Sequence, residues 1–137
     1  MTFYDTAKTY FDGKFLADTN FSNTVPQPAN TYPIPTIGNW QLRNSGSFDN
    51  FILLDELIGN AQPAAMGQLY LVTRNIQIHV YAASEATKNA YNAAIVSYIK
   101  QYILVGAMWI WENDMPLPKG TDNYSEEFIS LSQQMFE

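Results

Sequence analysis

The sequence predicts a single α+β domain spanning 1–137, in which an antiparallel or mixed sheet carries one long helix on one face. Two patterns predict it. Ile76, Ile78 and Val80 alternate with Asn75, Gln77, His79 and Tyr81, which is the period of a half-buried strand. Directly after them, Tyr91, Ala94, Ile95, Tyr98, Ile99, Tyr102 and Ile103 recur at three- and four-residue spacings, which is the period of a helix that buries one side. A chain of 137 residues, 47% of them apolar, is long enough to build one core.

The elements follow in order. Phe3, Ala7, Tyr10 and Phe11 stand at helical spacing behind Thr2, a good N-cap, and ahead of Gly13, a good stop, so a short N-terminal helix is expected. Lys14 to Ile37 then reads as irregular chain. Pro26, Pro28, Pro33 and Pro35 each lack a backbone donor and bias the residue before them towards extended conformations. A stretch this long without regular structure is either a loose surface loop or a functional arm, so 14–37 is a Pro-rich arm or loop that could order on a neighbouring subunit.

Asn39 to Arg43 alternates as a strand, and Asn44-Ser45-Gly46-Ser47 makes a turn. Phe48 to Ile58 is the next strand; its Phe51-Ile52-Leu53-Leu54 run is apolar on both faces and belongs at the centre of the sheet or beneath a helix. Gly59 to Gly67, with Asn60 and Pro63, reads as a loop, and Leu69 to Tyr81 as the clearest strand. Ser84 can cap the helix, Glu85 suits its positive end, and Gly106 can end it, so the helix runs from about Ser84 to Leu104 with Lys88, Asn89, Asn92, Lys100 and Gln101 on its outer side. Met108 to Trp111 is a short strand, Asn113 to Asn123 a turn-rich loop, and Glu127 to Glu137 a closing edge or shared strand.

Composition narrows function more than any motif does. The net charge is −6, and the seven Lys and Arg residues are scattered, so the clustered cations that specific or tight nucleic-acid binding requires are missing. No cysteine means no disulfide framework and no thiolate metal site. No window approaches eighteen apolar residues, and Met1 to Asp5 has no basic lead into an apolar run, so neither a membrane span nor a secretion signal is expected.

His79 is the single histidine and sits mid-strand, where a structural or surface role outweighs that of a general base. The acids Asp55-Glu56, Glu112 with Asp114, and Glu126-Glu127 follow no metal-loop pattern and read as solvated element ends. The seven glycines form no phosphate cradle. No catalytic residue, cofactor or metal is therefore expected, and the chain is not expected to be an enzyme.

What the sequence does hold is aromatic surface: nine Tyr, eight Phe and three Trp, with charged residues at only 15% against about 25% in ordinary soluble domains. Tyr and Trp are enriched where proteins meet, and a small core uses them too. Trp40, Trp109 and Trp111 are candidates for a subunit contact, with core or the wall of an apolar ligand pocket as the alternatives. Arg43 and Arg74, the two arginines of an acidic chain, suit pairing with carboxylates of a neighbouring copy or within the chain.

The run Phe51 to Leu57, the strand Arg74-Asn75-Ile76-Gln77-Ile78-His79-Val80-Tyr81-Ala82, the helix Ala86 to Ile103 and the closing strand Glu127 to Phe136 together resemble the tail terminator and tail-completion proteins of the neck of long-tailed bacteriophages. The resemblance covers roughly Trp40 to Phe136. It implies a non-catalytic virion protein, assembled in the host cytoplasm. Such a protein forms a ring, typically of six copies, between the tail tube protein and the head-completion or connector protein, with DNA only passing through its lumen. The Pro-rich arm is longer than the resemblance implies, and Trp109 to Asn123 has no counterpart in it. A small non-catalytic ligand-binding or head-completion adaptor domain is the other expectation.

Overall fold

A computed structural model describes residues 2–39, 50–65, 69–102, 107–117 and 125–136. The order is α1 (Phe3–Ala17), β1 (Thr36–Gly38), β2 (Phe51–Ala65), β3 (Leu69–Ala82), α2 (Glu85–Gln101), β4 (Ala107–Leu117) and β5 (Ser125–Phe136). The strands form one mixed sheet in the order β1-β2-β3-β5-β4, with β1 parallel to β2 and every other pair antiparallel. This is the α+β class read from the sequence.

Strand alternation sorts the sheet into two faces. Cross-strand neighbours Ile52–Val80, Leu54–Ile78 and Ile78–Ile129 point to one face. These sheet residues share one buried cluster with Phe3, Ala7, Phe11 and Phe15 of α1 and with Tyr91, Ile95, Tyr98 and Ile99 of α2. Both helices therefore bury their apolar sides against the same face. On the opposite face Phe51, Leu53 and Tyr81 make a smaller buried cluster.

The helix ends follow the expected chemistry at one terminus and depart from it at the other. Thr2 Oγ1 accepts from the Asp5 amide at 3.1 Å while Asp5 Oδ2 accepts from the Thr2 amide at 3.2 Å, a reciprocal cap. Gly13 does not stop α1, which continues to Ala17 because Phe15 reaches the core beside Phe21. Ser84 caps α2 through the Thr87 amide at 3.2 Å. The helix ends at Gln101, and the expected continuation to Leu104 falls partly on 103–106, outside the described residues.

Three strands differ from expectation. β2 does not end before Gly59 but runs to Ala65, through a register shift between Leu57 and Asn60. Gly59 fits the bulge because a Cβ there would lie 2.0 Å from the Thr73 carbonyl oxygen. β4 runs through Asn113 and Pro116 to Leu117 where a loop was expected. It lies at the edge of the sheet, and there proline's missing donor removes no ladder bond if it faces outwards. β5 is not an edge strand: it pairs with β3 on one side and β4 on the other. The expected strand from Asn39 to Arg43 falls almost wholly on 40–49, outside the described residues, and the short parallel strand β1 precedes it.

Candidate assembly surfaces

The residues that the sequence singled out have different fates. Trp109 is a core residue. Its ring lies flat on Tyr102 at 3.8 Å between centroids, meets Phe3, Tyr10 and Phe11 at angles, and its Nε1 donates to Gln133 Oε1 at 2.8 Å. Those contacts leave it 7% exposed, so it neither lines an open pocket nor offers a subunit anchor. Trp111, two residues on, is half-buried, with Lys100 Nζ 5.1 Å above its ring. It borders a groove of about 510 Å³ formed with the outer side of α2 at Asn92, Val96 and Lys100. Arg74 stands half-buried in β3 opposite Gln133, the β5 residue that pairs on its other side with Trp109. Trp40 and Arg43 lie outside the described residues.

Most of the Pro-rich segment folds onto its own chain. Phe21 is in the core against Phe15 and Tyr91, and Ile37 is buried. Two tyrosines of α2 fasten its ends: Tyr91 Oη donates to the Pro33 carbonyl at 2.5 Å, and Tyr98 Oη donates to Asp18 Oδ2 at 2.5 Å. Burial acts to raise the Asp18 carboxyl, but the hydrogen bonds from Tyr98 and Asn20 outweigh it and hold the group below its ordinary value. Burial, reinforced by the Asp18 carboxylate, pushes the Tyr98 phenol well above its usual range. Between α1, this segment and α2 a cleft of about 520 Å³ opens over Ala90, Ala94, Phe21 and Tyr32. The segment leaves one part outside, the loop from Asn23 to Asn30, which is exposed throughout.

Two charged residues were placed wrongly by the sequence pattern. Lys88 was expected on the outer side of α2 and Glu127 among solvated ends, yet they are 3% and 5% exposed. Lys88 Nζ bonds to Glu85 Oε1 at 2.8 Å and lies 4.0 Å from Glu127 Oε2. Glu127 faces the helices because it pairs across from Val80 on β3. The signal was available in principle, since Glu127 shares parity with Ile129 and Leu131; its charge overrode the period.

His79 packs edge-on to Phe128 at 5.4 Å and beside Tyr81, on the face away from the helices. Among the described residues no group of three His, Cys, Asp or Glu side chains is close enough together to hold a metal ion.

What remains for contact with other molecules is backbone edge and exposed apolar surface. β1 covers only Phe51 to Leu53, so the outer edge of β2 beyond Leu53 pairs with no strand among the described residues, and the same is true of the outer edge of β4. The far end of the β2–β3 hairpin leaves the core. From Leu57 to Ala65 it extends roughly 27 Å at strand rise, and Leu57, Leu69 and Tyr70 there are 38%, 46% and 45% exposed. Open edges and apolar ends of this kind attract other chains.

No helix among the described residues is long and apolar enough to cross a membrane. Compared with known proteins, the chain matches no family model and no curated sequence.

Proposed function

We propose that this chain is a structural protein of a phage neck that assembles into a ring, with six copies the expected number, terminating the tail tube and joining it to the head-completion or connector protein. The observation that carries this is the β2–β3 hairpin continuing beyond its buried part, with Leu57, Leu69 and Tyr70 exposed and, among the described residues, no strand paired to the outer edge of β2 past Leu53. Within one chain that surface has no stabilising purpose. Between copies it can be covered, and a repeated heterologous contact of this type closes into a ring when the rotation allows.

Two further features support it. The chain carries a net charge of −6, which suits a lumen through which a polyanion passes without sticking. Its composition, with 15% aromatic and only 15% charged residues, suits extensive contacts between subunits.

The test is imaging. Purified protein mixed with isolated phage tail tubes should give closed rings seated on tube ends in negative stain. Particles that never cap a tube, at concentrations where the protein self-associates, would rule out the terminator role.

A further inference from the structure

We infer that the loop from Ser22 to Asn30 is a preformed docking finger that seats its tip in the groove between α2 and β4 of a second copy of this chain. The inference rests on the ring proposed above and adds a second contact between copies to the one the hairpin offers.

The finger is held in shape by its own hydrogen bonds. Ser22 N donates to the Tyr32 carbonyl at 2.9 Å and Tyr32 N to the Asn20 carbonyl at 2.9 Å, closing the base. Gln27 Nε2 spans the interior, donating to the Ser22 carbonyl at 2.7 Å and to Thr31 Oγ1 at 2.8 Å. Asn23 Oδ1 accepts from the Ile34 amide at 3.0 Å, and Asn30 takes the turn at φ 61°, a conformation Asn tolerates better than most residues. Yet the tip these bonds support is apolar and open: Val25 is 92% exposed, with Pro26, Pro28 and Ala29 exposed around it. An apolar tip on an already ordered loop loses little conformational entropy when it docks, which is what favours tight contact.

Charge and placement select the occupant. From Thr19 to Leu42 the sequence has no charged side chain, although the chain as a whole is at −6. Copies of so acidic a chain repel across most surfaces, and an uncharged finger, like the uncharged stretch from Leu57 to Thr73, can approach another copy. Among the described residues, Lys100 is the only charged one that lines the groove beside Trp111, so it offers a cation rather than a carboxylate to the carbonyls of a proline-containing tip.

The two surfaces are different strips of α2 that meet along Ala93, Ser97 and Gln101: the finger's base packs near Ala90, Ala94 and Tyr98, while the groove runs along Asn92, Val96 and Lys100. A contact from one strip to the other is head-to-tail, as a ring requires.

The absence of cysteine in the chain makes the test direct. Protein carrying both Val25→Cys and Val96→Cys, treated with a short bismaleimide, should give a ladder of covalent dimers, trimers and higher species on a denaturing gel. Either substitution alone should give no such ladder. Val25→Asp at the exposed tip should weaken assembly by roughly tenfold or more, with the thermal midpoint unchanged.

Rings seen by mass photometry without a ladder would overturn the finger contact and leave the ring standing. Monomers alone at every concentration would overturn both. A ladder that stops at dimers would overturn the head-to-tail geometry in favour of a reciprocal pair.

Discussion

Strand β2 lives in two environments, and the contrast between them separates what holds this protein together from what it offers to others. From Phe51 to Leu54 every residue is buried, paired with β3 throughout and with β1 as far as Leu53, and covered on one face by the helices. From Leu57 the same strand continues to Ala65, still paired with β3, and Leu57, Gly59, Ala61, Gln62 and Pro63 are exposed. Hydrogen-bonded pairing is common to both halves; burial is not. Pairing alone contributes modestly in water, so the first half carries the stability and the second is maintained by attachment to it.

The largest effect should come from the covered half. Ile78→Ala removes a fully buried side chain between Leu54 and Ile129, and should cost about 4 kcal/mol of unfolding free energy in a urea titration. A loss below about 1 kcal/mol would break the comparison.

Next comes the buried charge in the same layer. Glu127→Ala leaves Lys88 beneath α2 without that carboxylate and should cost about 3 kcal/mol. Retention of full stability would mean that the Glu85 contact alone satisfies the ammonium.

Tyr98→Phe tests the fastening of the Pro-rich segment, and removal of one hydrogen bond to a carboxylate should cost about 2 kcal/mol at neutral pH. Because the folded chain holds Asp18 below its ordinary value, its contribution is present above about pH 4 and is lost as the pH falls through the lower folded value. The stability gap between the variant and the wild type should therefore close below pH 4. A gap that stays constant with pH would show that packing, not the carboxylate, accounts for the loss.

Smallest in stability is Tyr70→Ser, at the exposed end of the hairpin, which should change unfolding by no more than about 0.5 kcal/mol. It should nonetheless reduce self-association, measured by light scattering across a dilution series. A stability change as large as that of Ile78→Ala would erase the distinction between the two halves.

The sequence disclosed what periodicity controls. β3 and α2 were legible because their apolar residues repeat at 2.0 and near 3.6, and Thr2 and Ser84 because capping chemistry is local. Where propensity and position conflict, position prevailed. Gly59 and Pro63 in β2 and Pro116 in β4 argued for loops, yet both strands have an outer edge without a partner strand among the described residues, and there a bulge or a missing donor is tolerated. β1 was hidden because three residues after Pro35 carry no period, and only pairing with Phe51 to Leu53 defines it.

The candidate surface was less legible than the fold. Trp109 and Trp111 looked equivalent, two residues apart on one strand face, but Tyr102 and α1 cover the first, while the second stands half-buried beside Lys100. The Pro-rich segment was recognised as unusual, but its division into a fastened base and an open tip depends on Tyr91 and Tyr98, some sixty and eighty residues away. Distances of that kind leave no trace in local sequence.

Sedimentation velocity on the purified chain tests the central claim most directly. The account predicts a discrete closed species several subunit masses in size, near six, whose abundance rises with concentration and which Tyr70→Ser diminishes. A single monomeric boundary that persists to high concentration would contradict it.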